Sequence, residues 1–584
     1  MGPLDHVNLR LVRNIDDVTD FIEWIGQPRD ILGLDTETGG FNPFKNKLRL
    51  FQFGDKDAGW AIPWHLWSGL VIGAIKDYQG PVVLHNSPFD IRFTSVHGGQ
   101  DFGKWDWSQT HDTMTMAHIL DSNAAKGLKP LSGKLIDPKA VTAQISLSEG
   151  MSANKWTWDT VPLDFPPYWI YAALDPVLTC HLYDKMAPAI EAQYRSAYEL
   201  EIGTLELVTD MMLKGAKIDL DYCDSKKREL DTYSVDARQY LFDAFDIENA
   251  TSMVQVQRAL EAEGVKLLDK RTKGGSQAMD KEVLEAADHV IANTVLAIKH
   301  AEKLSSTYFS NLVNAVDSNN RVHPTIWAQG TKTGRMSITD PALQTLPRKS
   351  PVRGAFVPDE GNALISIDAD QIEARLTAHF SQDQGMIDAF ETGDFFVNIA
   401  RGVFDDPTID KSDPRRALTK GVVYGKLYGA GPATMARTAR VPLESMEKTV
   451  AAFESAFPGV RQLQMATAQA ARDRSKSEGR AYIMTNNGKP IVVDDDRDYT
   501  ALNYLIQGSA AEIFKQTLLR LADAGFRDYL MIPVHDEIVM EAPAHDAEDL
   551  LKTAEEVMND FETYALPITW SGDIMHNSWN DKYE

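Results

Sequence analysis

The sequence predicts a multidomain chain of mixed α/β (α+β) class. Three observations carry this. At 584 residues there is room for about four domains of ~150 residues. The composition, 43% hydrophobic and 24% charged, is that of a globular protein whose core needs neither disulfides nor a structural metal. The patterning also changes along the chain. Short apolar strands alternate with helical stretches up to about residue 190, a charged helical region covers 220 to 315, and strands mix with long helices beyond about 325. Collagen-like, low-complexity and disordered classes are excluded. Cys180 and Cys223 match no metal spacing and are expected as buried free thiols. The start, MGPLDHVNLR, has no secretory pattern, so a cytoplasmic protein is expected. The most apolar window, Ala58 to Ile75, holds Pro63, His65 and three glycines. It reads as a strand, a turn and a core helix, and no membrane association is expected. The net charge of −25, taken alone, argues against a nucleic-acid binder, because phosphate binding normally shows as a basic surface.

The first chemical constellation lies in the N-terminal region. The strand Ile31-Leu-Gly-Leu-Asp35 continues into Thr36-Glu37. Residues i and i+2 of a strand share a face, so Asp35 and Glu37 converge. His85-Asn-Ser-Pro-Phe-Asp90 follows another apolar strand and adds an acid. Tyr171-Ala-Ala-Leu-Asp175 lies in a helical pattern, where i,i+4 spacing sets phenol and carboxylate on one face. Asp35, Glu37, Asp90 and Asp175 form an oxygen-rich set suited to Mg²⁺ or Mn²⁺. Two such ions ~3.5–4 Å apart activate a water and stabilise the leaving oxygen of a phosphodiester. Tyr171 would orient that water. In this combination and order the motifs resemble the DEDD nucleases, in the branch with a tyrosine in the last motif. Asp112, in HDTMTMAHIL, matches a position of that family too and is read as support, not as a ligand.

A long amphipathic helix is predicted from about Glu191 to Leu213, stopped by Gly215. Further on, Asp269 to Gly275 reads as an exposed basic turn carrying Lys270, Arg271 and Lys273. It either touches phosphates or is a solvated loop. The second constellation is Arg416-Ala-Leu-Thr-Lys420-Gly-Val-Val-Tyr424-Gly-Lys-Leu-Tyr428-Gly429. Steps of four along a helix lag by only ~40°, so Arg416, Lys420, Tyr424 and Tyr428 form one slanted stripe. It runs from two cations, which suit phosphate, to two flat rings, which suit a sugar and base. Gly421 and Gly425 each cost ~1 kcal/mol in a helix, which points to a close approach to the backbone. The run Gly429-Ala-Gly431 follows a helix, not a strand, and is discounted as a dinucleotide motif. Ala363-Leu-Ile-Ser-Ile-Asp368 is a strand ending in an acid, followed by a helix that opens Gln371-Ile-Glu373. Ile532-Pro-Val-His535-Asp536-Glu537-Ile-Val-Met540 reads as a hairpin with a polar tip. Asp368 and Asp536 would converge on two divalent ions.

Over residues 1 to 584 the chain resembles the DNA polymerase I family, or family A. DADQIEAR (368–375), RALTKGVVYGKLYG (416–429) and VHDE (534–537) resemble its motifs A, B and C. KLSSTY (303–308), TGRMSITDPALQTLPR (333–348) and NYLIQGSAAEI (503–513) match further segments. The resemblance implies a ribonuclease H-like 3′→5′ proofreading exonuclease domain over 1–195 and a right-hand polymerase domain. In the latter the thumb would span 196–325, the palm 326–394 with 498–584, and the fingers 395–497. Asp368 and Asp536 would be the catalytic metal ligands, with Glu537 assisting. Arg416 and Lys420 would hold the triphosphate, Lys420 as a catalytic group. Tyr424 would pack on the incoming sugar, with Gln371 beside it, and Glu373 would exclude ribonucleotides at the 2′ position. Tyr428, Gly429, Arg335, Asn503, Gln507 and His535 would contact template or primer. Implied cofactors are two Mg²⁺ or Mn²⁺ ions per site. Implied partners are primer–template DNA and dNTPs, with room for a helicase or processivity factor, and the chain is expected to be a monomer. The C-terminal GDIMHNSWND (572–581) and the layout resemble phage replicative members, and no separate 5′ nuclease is expected.

Four features depart from the family or qualify it. Asp394-Phe-Phe396 stands where an Asp-Ile-His is frequent, Tyr499 where an arginine is usual, and Asp370 is an extra acid in motif A. Tyr424 is the alternative to phenylalanine that implies tolerance of dideoxynucleotides. Three rival readings are opposed by particular residues. A nuclease whose C-terminal half only binds DNA is opposed by intact Asp368, Asp536, Lys420 and Tyr424. A single-subunit RNA polymerase is opposed by Glu373 and the complete exonuclease set. A non-enzymatic scaffold is opposed by all of these residues. Charge is also local. Residues 329–353 hold five basic groups and one acid, and residues 411–440 hold seven and one. Screening beyond ~8 Å at physiological salt makes such patches decisive, so the overall acidity does not exclude nucleic acid.

Overall fold

The computed structural model describes residues 4–347, 350–391 and 393–583. Arg348 and Lys349, two of the basic groups counted in 329–353, lie outside the described residues, Arg348 being also the last residue of the 333–348 match. Six strands open the chain: β1 (Asn8–Leu11), β2 (Leu32–Thr38), β3 (Leu48–Gly54), β4 (Ala58–Pro63), β5 (Val82–Leu84) and β6 (Thr110–Asp112). They form one mixed sheet in the order β1-β4-β3-β2-β5-β6. The segment β2-β3-β4 is an antiparallel meander, and β1, β5 and β6 join it in parallel. Nearly every residue of β2 and β3 is buried, as expected for strands covered on both faces.

The helix Pro166–Ala189 crosses β2, β3 and β4 at close range. Glycines make this possible. A Cβ on Gly59 would collide with the carbonyl oxygen of Ala173, and one on Gly33 with that of Pro176. A Cβ on Gly54 would lie 3.0 Å from the Pro176 ring. Asp175, between Ala173 and Pro176, is thereby pressed against β2. The apolar window resolves into β4 and the helix Trp64–Asp77 with no turn between them, the one departure being a kink at Trp67. Among the described residues no helix is long and apolar enough to cross a membrane. Both cysteines are buried free thiols.

The predicted long helix runs Arg195–Lys214 and stops at Gly215 in a left-handed conformation, φ +65°. It starts later than Glu191 because Ile190–Tyr194 forms a π turn. It joins two cores. Leu205 packs with the sheet core of the N-terminal domain, while Val208, Met211 and Met212 belong to the large core of the C-terminal half. Its Glu201 is buried and bonded to Lys515 at 2.7 Å and to Lys489 at 3.0 Å. Burial would raise this carboxyl, but the two ammonium groups outweigh it and hold it at about 2. Helices Leu220–Phe245, Met253–Ala262, Lys281–Ala287 and Val290–Glu302 enclose a smaller core of their own. The basic turn beside them is partly neutralised within the chain. Lys270 pairs with Asp280 and Glu282, and Arg271 with Asp269.

The C-terminal half is built on a four-stranded antiparallel sheet. In spatial order its strands are Leu530–Val534, Glu537–Pro543, Asn362–Ala369 and Trp570–Met575. The first two are the predicted hairpin, with His535 and Asp536 at its tip. The helix Ala501–Leu521 packs behind, and a helical subdomain between Pro414 and Glu478 stands beside the sheet.

Candidate active sites

In the N-terminal domain, β2 delivers Asp35 and Glu37, and the crossing helix delivers Asp175. Oxygens of these three carboxylates lie within 4.8 Å of one another. Asp90 comes from the first turn of the helix Ser87–Phe102, which follows Asn86 in a left-handed conformation. Its carboxylate accepts a 2.6 Å hydrogen bond from the Thr36 hydroxyl, so it lies beside the strand that carries the other two acids. Asp112 is fully buried and caps two helix starts, accepting from the amides of Ser87 at 2.6 Å and Thr115 at 2.7 Å. It holds Asp90's helix in place, which is the supporting part read from the sequence.

Burial is the largest influence here. It raises Asp35 to about 7 and lifts Glu37 and Asp90 well above the carboxylate range, with mutual repulsion adding to the last two. Crowded acids that resist ionisation fit a divalent cation, whose charge makes ionisation favourable. The site also holds a cation that the sequence reading missed. Lys129 is buried, ion-paired to Asp175, and has its ammonium 4.1 Å from the centre of the Tyr171 ring. Burial pulls its amine down to about 7, while Asp35 and Glu37 oppose that. A single lysine after Gly127-Leu128 carries no pattern that would have marked it. Tyr171 lies one turn before Asp175 on the same helix face and packs near Trp158.

In the C-terminal half, Asp368 ends its strand directly opposite Glu537, and the Ala369 amide donates to the Asp536 carbonyl at 3.1 Å. Asp368 and Asp536 therefore sit at adjoining ends of paired strands. They line a cavity of about 650 Å³ together with Gln371, Glu373, Lys420, Tyr424, Tyr428, Arg335 and His535. The helix Pro414–Leu427 is capped by Asp413 and carries Arg416, Lys420 and Tyr424, with Tyr428 at its C-cap. Tyr424 and Tyr428 stack at 6.1 Å. The Tyr428 hydroxyl donates to Glu373 at 2.8 Å, and Arg335 is ion-paired to the same carboxylate. A Cβ on Gly421 would meet open space, whereas one on Gly425 would strike Met435. Only the first glycine thus leaves backbone open to a ligand.

Other predicted residues lie off this wall. Arg416 makes a two-pronged pair with Asp394, at 3.0 and 2.6 Å. Gly429 has φ +70° and is covered by Tyr499, the residue standing where an arginine is usual. Asn503 and Gln507 are one turn apart on the helix Ala501–Leu521. His535, by contrast, stands in the cavity wall, exposed, with its Nε2 2.9 Å from the Gln344 carbonyl oxygen. Asp370, the extra acid, accepts from the hydroxyls of Thr569 and Ser571, each at 2.9 Å, and ties its strand end to the neighbouring strand.

Glu537 lines the cavity but is largely engaged. It accepts from the Ser366 hydroxyl and from Trp579 Nε1 at 3.0 Å, with Lys582 at 3.3 Å and Arg353 at 3.8 Å. Burial would raise it, but Lys582 and these hydrogen bonds hold it below the usual range. Its main contacts therefore anchor the turn Trp579–Tyr583 under the sheet. Arg353, Lys582 and Tyr583 also line the cavity and were not singled out from sequence. Their place depends on chain folding and not on local pattern.

Comparison with known proteins places both halves. Residues 220–581 match DNA polymerase family A, and residues 9–191 match a 3′-5′ exonuclease family. The DNA polymerase of Mycobacterium phage L5 is 28% identical over 568 residues, covering 93% of this chain and 92% of that protein. DNA polymerase I of Chloroflexus aurantiacus is 27% identical over 556 residues, 88% of this chain and 56% of that longer protein. Among solved structures, the POL domain of Pol1 from M. smegmatis, in complex with DNA primer-template and dNTP, has the same fold. It superposes with a TM-score of 0.79 at 22% identity, over 99% of this chain and 100% of that one. The chain therefore belongs to DNA polymerase family A and carries a 3′-5′ exonuclease domain in its N-terminal third.

Proposed function

We propose that the chain is a template-directed DNA-dependent DNA polymerase that proofreads its own product and serves phage DNA replication in the host cytoplasm. Both sites would use two Mg²⁺ or Mn²⁺ ions. The observation that carries this is the shared cavity, where two carboxylates at paired strand ends face Lys420 and the stacked Tyr424 and Tyr428. When bound, the ions lower the pKa of the attacking hydroxyl or water and neutralise the leaving group. Asp368 and Asp536 would hold them in the palm, and Asp35, Glu37, Asp90 and Asp175 in the exonuclease.

The remaining residues position. Lys420 and Arg416 hold the triphosphate through charge-assisted hydrogen bonds. Tyr424 packs on the sugar, with Gln371 at the cavity edge. Glu373, clasped by Arg335 and Tyr428, presents its carboxylate where a 2′-hydroxyl would lie. Tyr428, Gly429, Arg335, Asn503, Gln507 and His535 face template and primer, whose pairing supplies sequence choice while the protein reads backbone and shape. In the exonuclease, Tyr171 orients the water and Lys129 stabilises negative charge beside Asp175. Domain limits of 1–195, 196–325, 326–394 with 498–584, and 395–497 follow from this reading. So does a monomer that binds primer–template DNA and dNTPs, with weak, salt-sensitive DNA affinity that a helicase or processivity factor would supplement.

Primer extension tests it. With Mg²⁺ and four dNTPs the purified chain should copy a template, Lys420→Ala should lose that activity, and Glu373→Ala should begin to accept rNTPs. Extension by Lys420→Ala at the parent rate, or preference of the parent for rNTPs, contradicts the assignment.

A further inference from the structure

Helix Phe395–Phe404 abuts the helix that carries the cationic stripe. Its cap, Asp394, accepts from the Val397 amide at 3.0 Å and holds the Arg416 guanidinium in a two-pronged pair. Two residues on, the buried ring of Phe396 neighbours three of the four stripe residues. Its centre lies 5.2 Å from the Lys420 ammonium, 5.9 Å from the Arg416 guanidinium carbon and 5.9 Å from the Tyr424 ring. Phe396 is itself fixed. Phe395 meets it edge-on at 5.0 Å, and Phe395 stacks on Phe390 at 3.9 Å.

The two cations are thus held by different means. Arg416 has a carboxylate partner, which fixes its plane and takes two of its donors. Lys420 has a ring face, which attracts an ammonium through its quadrupole without neutralising it or using its hydrogen-bonding protons. A lysine ends a flexible four-carbon stem and needs such a guide to act as a directed charge. A phenyl ring cannot itself hydrogen-bond a phosphate, so any contribution from position 396 must act through its neighbours.

We propose that Phe396 is a positioning residue for the incoming nucleotide, its ring aiming the Lys420 ammonium, and with Asp394 the Arg416 guanidinium, at the triphosphate. The inference rests on the reading that Lys420 and Arg416 hold that triphosphate.

The test is steady-state single-nucleotide insertion by the full chain carrying Phe396→Leu, or mono- and trifluorophenylalanine at position 396. Fluorination keeps the ring's shape and drains its face. KM for the dNTP should rise stepwise with fluorine number and by about tenfold in Phe396→Leu, with kcat less changed. Single-strand degradation from the 3′ end should stay at the parent level, and an unchanged thermal unfolding profile reports that the C-terminal half of each variant is folded. A KM that is flat across the fluorinated series overturns the inference. Lys420→Ala, run in parallel, separates the two levels. If it loses insertion while the fluorinated series is flat, only the role of Phe396 falls. If it inserts like the parent, the reading of the triphosphate site falls with it.

Discussion

The two carboxylate sites use the same backbone device and differ in what surrounds it. In each, a strand carries acids to its end, and a neighbouring element supplies the partner: a crossing helix for Asp175, a hairpin tip for Asp536. The exonuclease acids are crowded, Asp35 half-buried and Glu37, Asp90 and Asp175 buried, with Lys129 as an internal counter-charge. Asp536 is 40% exposed on the wall of an open cavity, with the partly exposed Arg335 guanidinium 3.9 Å away and Lys420 on the same lining. The same residue type thus sits in two environments, one dominated by desolvation and the other by access to solvent.

The sharpest way to break the comparison is at Lys129. Removing a group that orients metal-binding carboxylates costs about 10–100-fold in activity or affinity. Lys129→Met should therefore slow single-strand degradation by that order while primer extension is unchanged. Equal rates in parent and variant would show that the internal charge is incidental.

A second effect follows from the raised carboxyls. An acid whose pKa is raised by folding ionises at a cost. Without divalent ions the N-terminal domain should lose stability as pH climbs from about 4, the ordinary range, through about 7, where Asp35 titrates. Ion binding displaces those protons, so Mn²⁺ affinity at this site should fall by about tenfold per unit below pH 7 for each proton displaced. Calorimetric titration of an Asp368→Ala, Asp536→Ala background isolates it. A pH-independent affinity between 5 and 7 contradicts the electrostatic account.

The smallest expected effect tests the backbone device itself. Gly59→Ala forces a methyl against the Ala173 carbonyl and should destabilise the N-terminal domain by about 1–3 kcal/mol. Thermal unfolding reads this directly, and an unchanged melting temperature would mean that the helix is not held to the sheet by that contact.

These differences also explain what was legible beforehand. Motif-borne residues were found because their spacing is local: Asp35 with Glu37 on one strand, Arg416, Lys420 and Tyr424 on one helix. The strand ends at Asp368 and Asp536 and the stop at Gly215 were likewise readable from alternation and turn chemistry. What escaped depends on tertiary approach. Lys129 sits on a short helix whose docking brings it to Asp175. The glycines of β2, β3 and β4 have meaning only once the helix lies across them. The partners of Glu537, Trp579 and Lys582, lie some forty positions on and carry no local signal. The total charge misled for the same reason, since binding depends on where cations fold together.

The central claim is that one chain holds two independent phosphoryl-transfer sites. It is tested most directly by a primer–template with a mismatched 3′ end, supplied with Mg²⁺ and dNTPs. The parent should trim the mismatch and then extend. Asp368→Ala should shorten the primer without extending it. Asp35→Ala with Glu37→Ala should leave the mismatch in place yet extend a matched primer. Loss of both activities in either folded variant would contradict the two-site account.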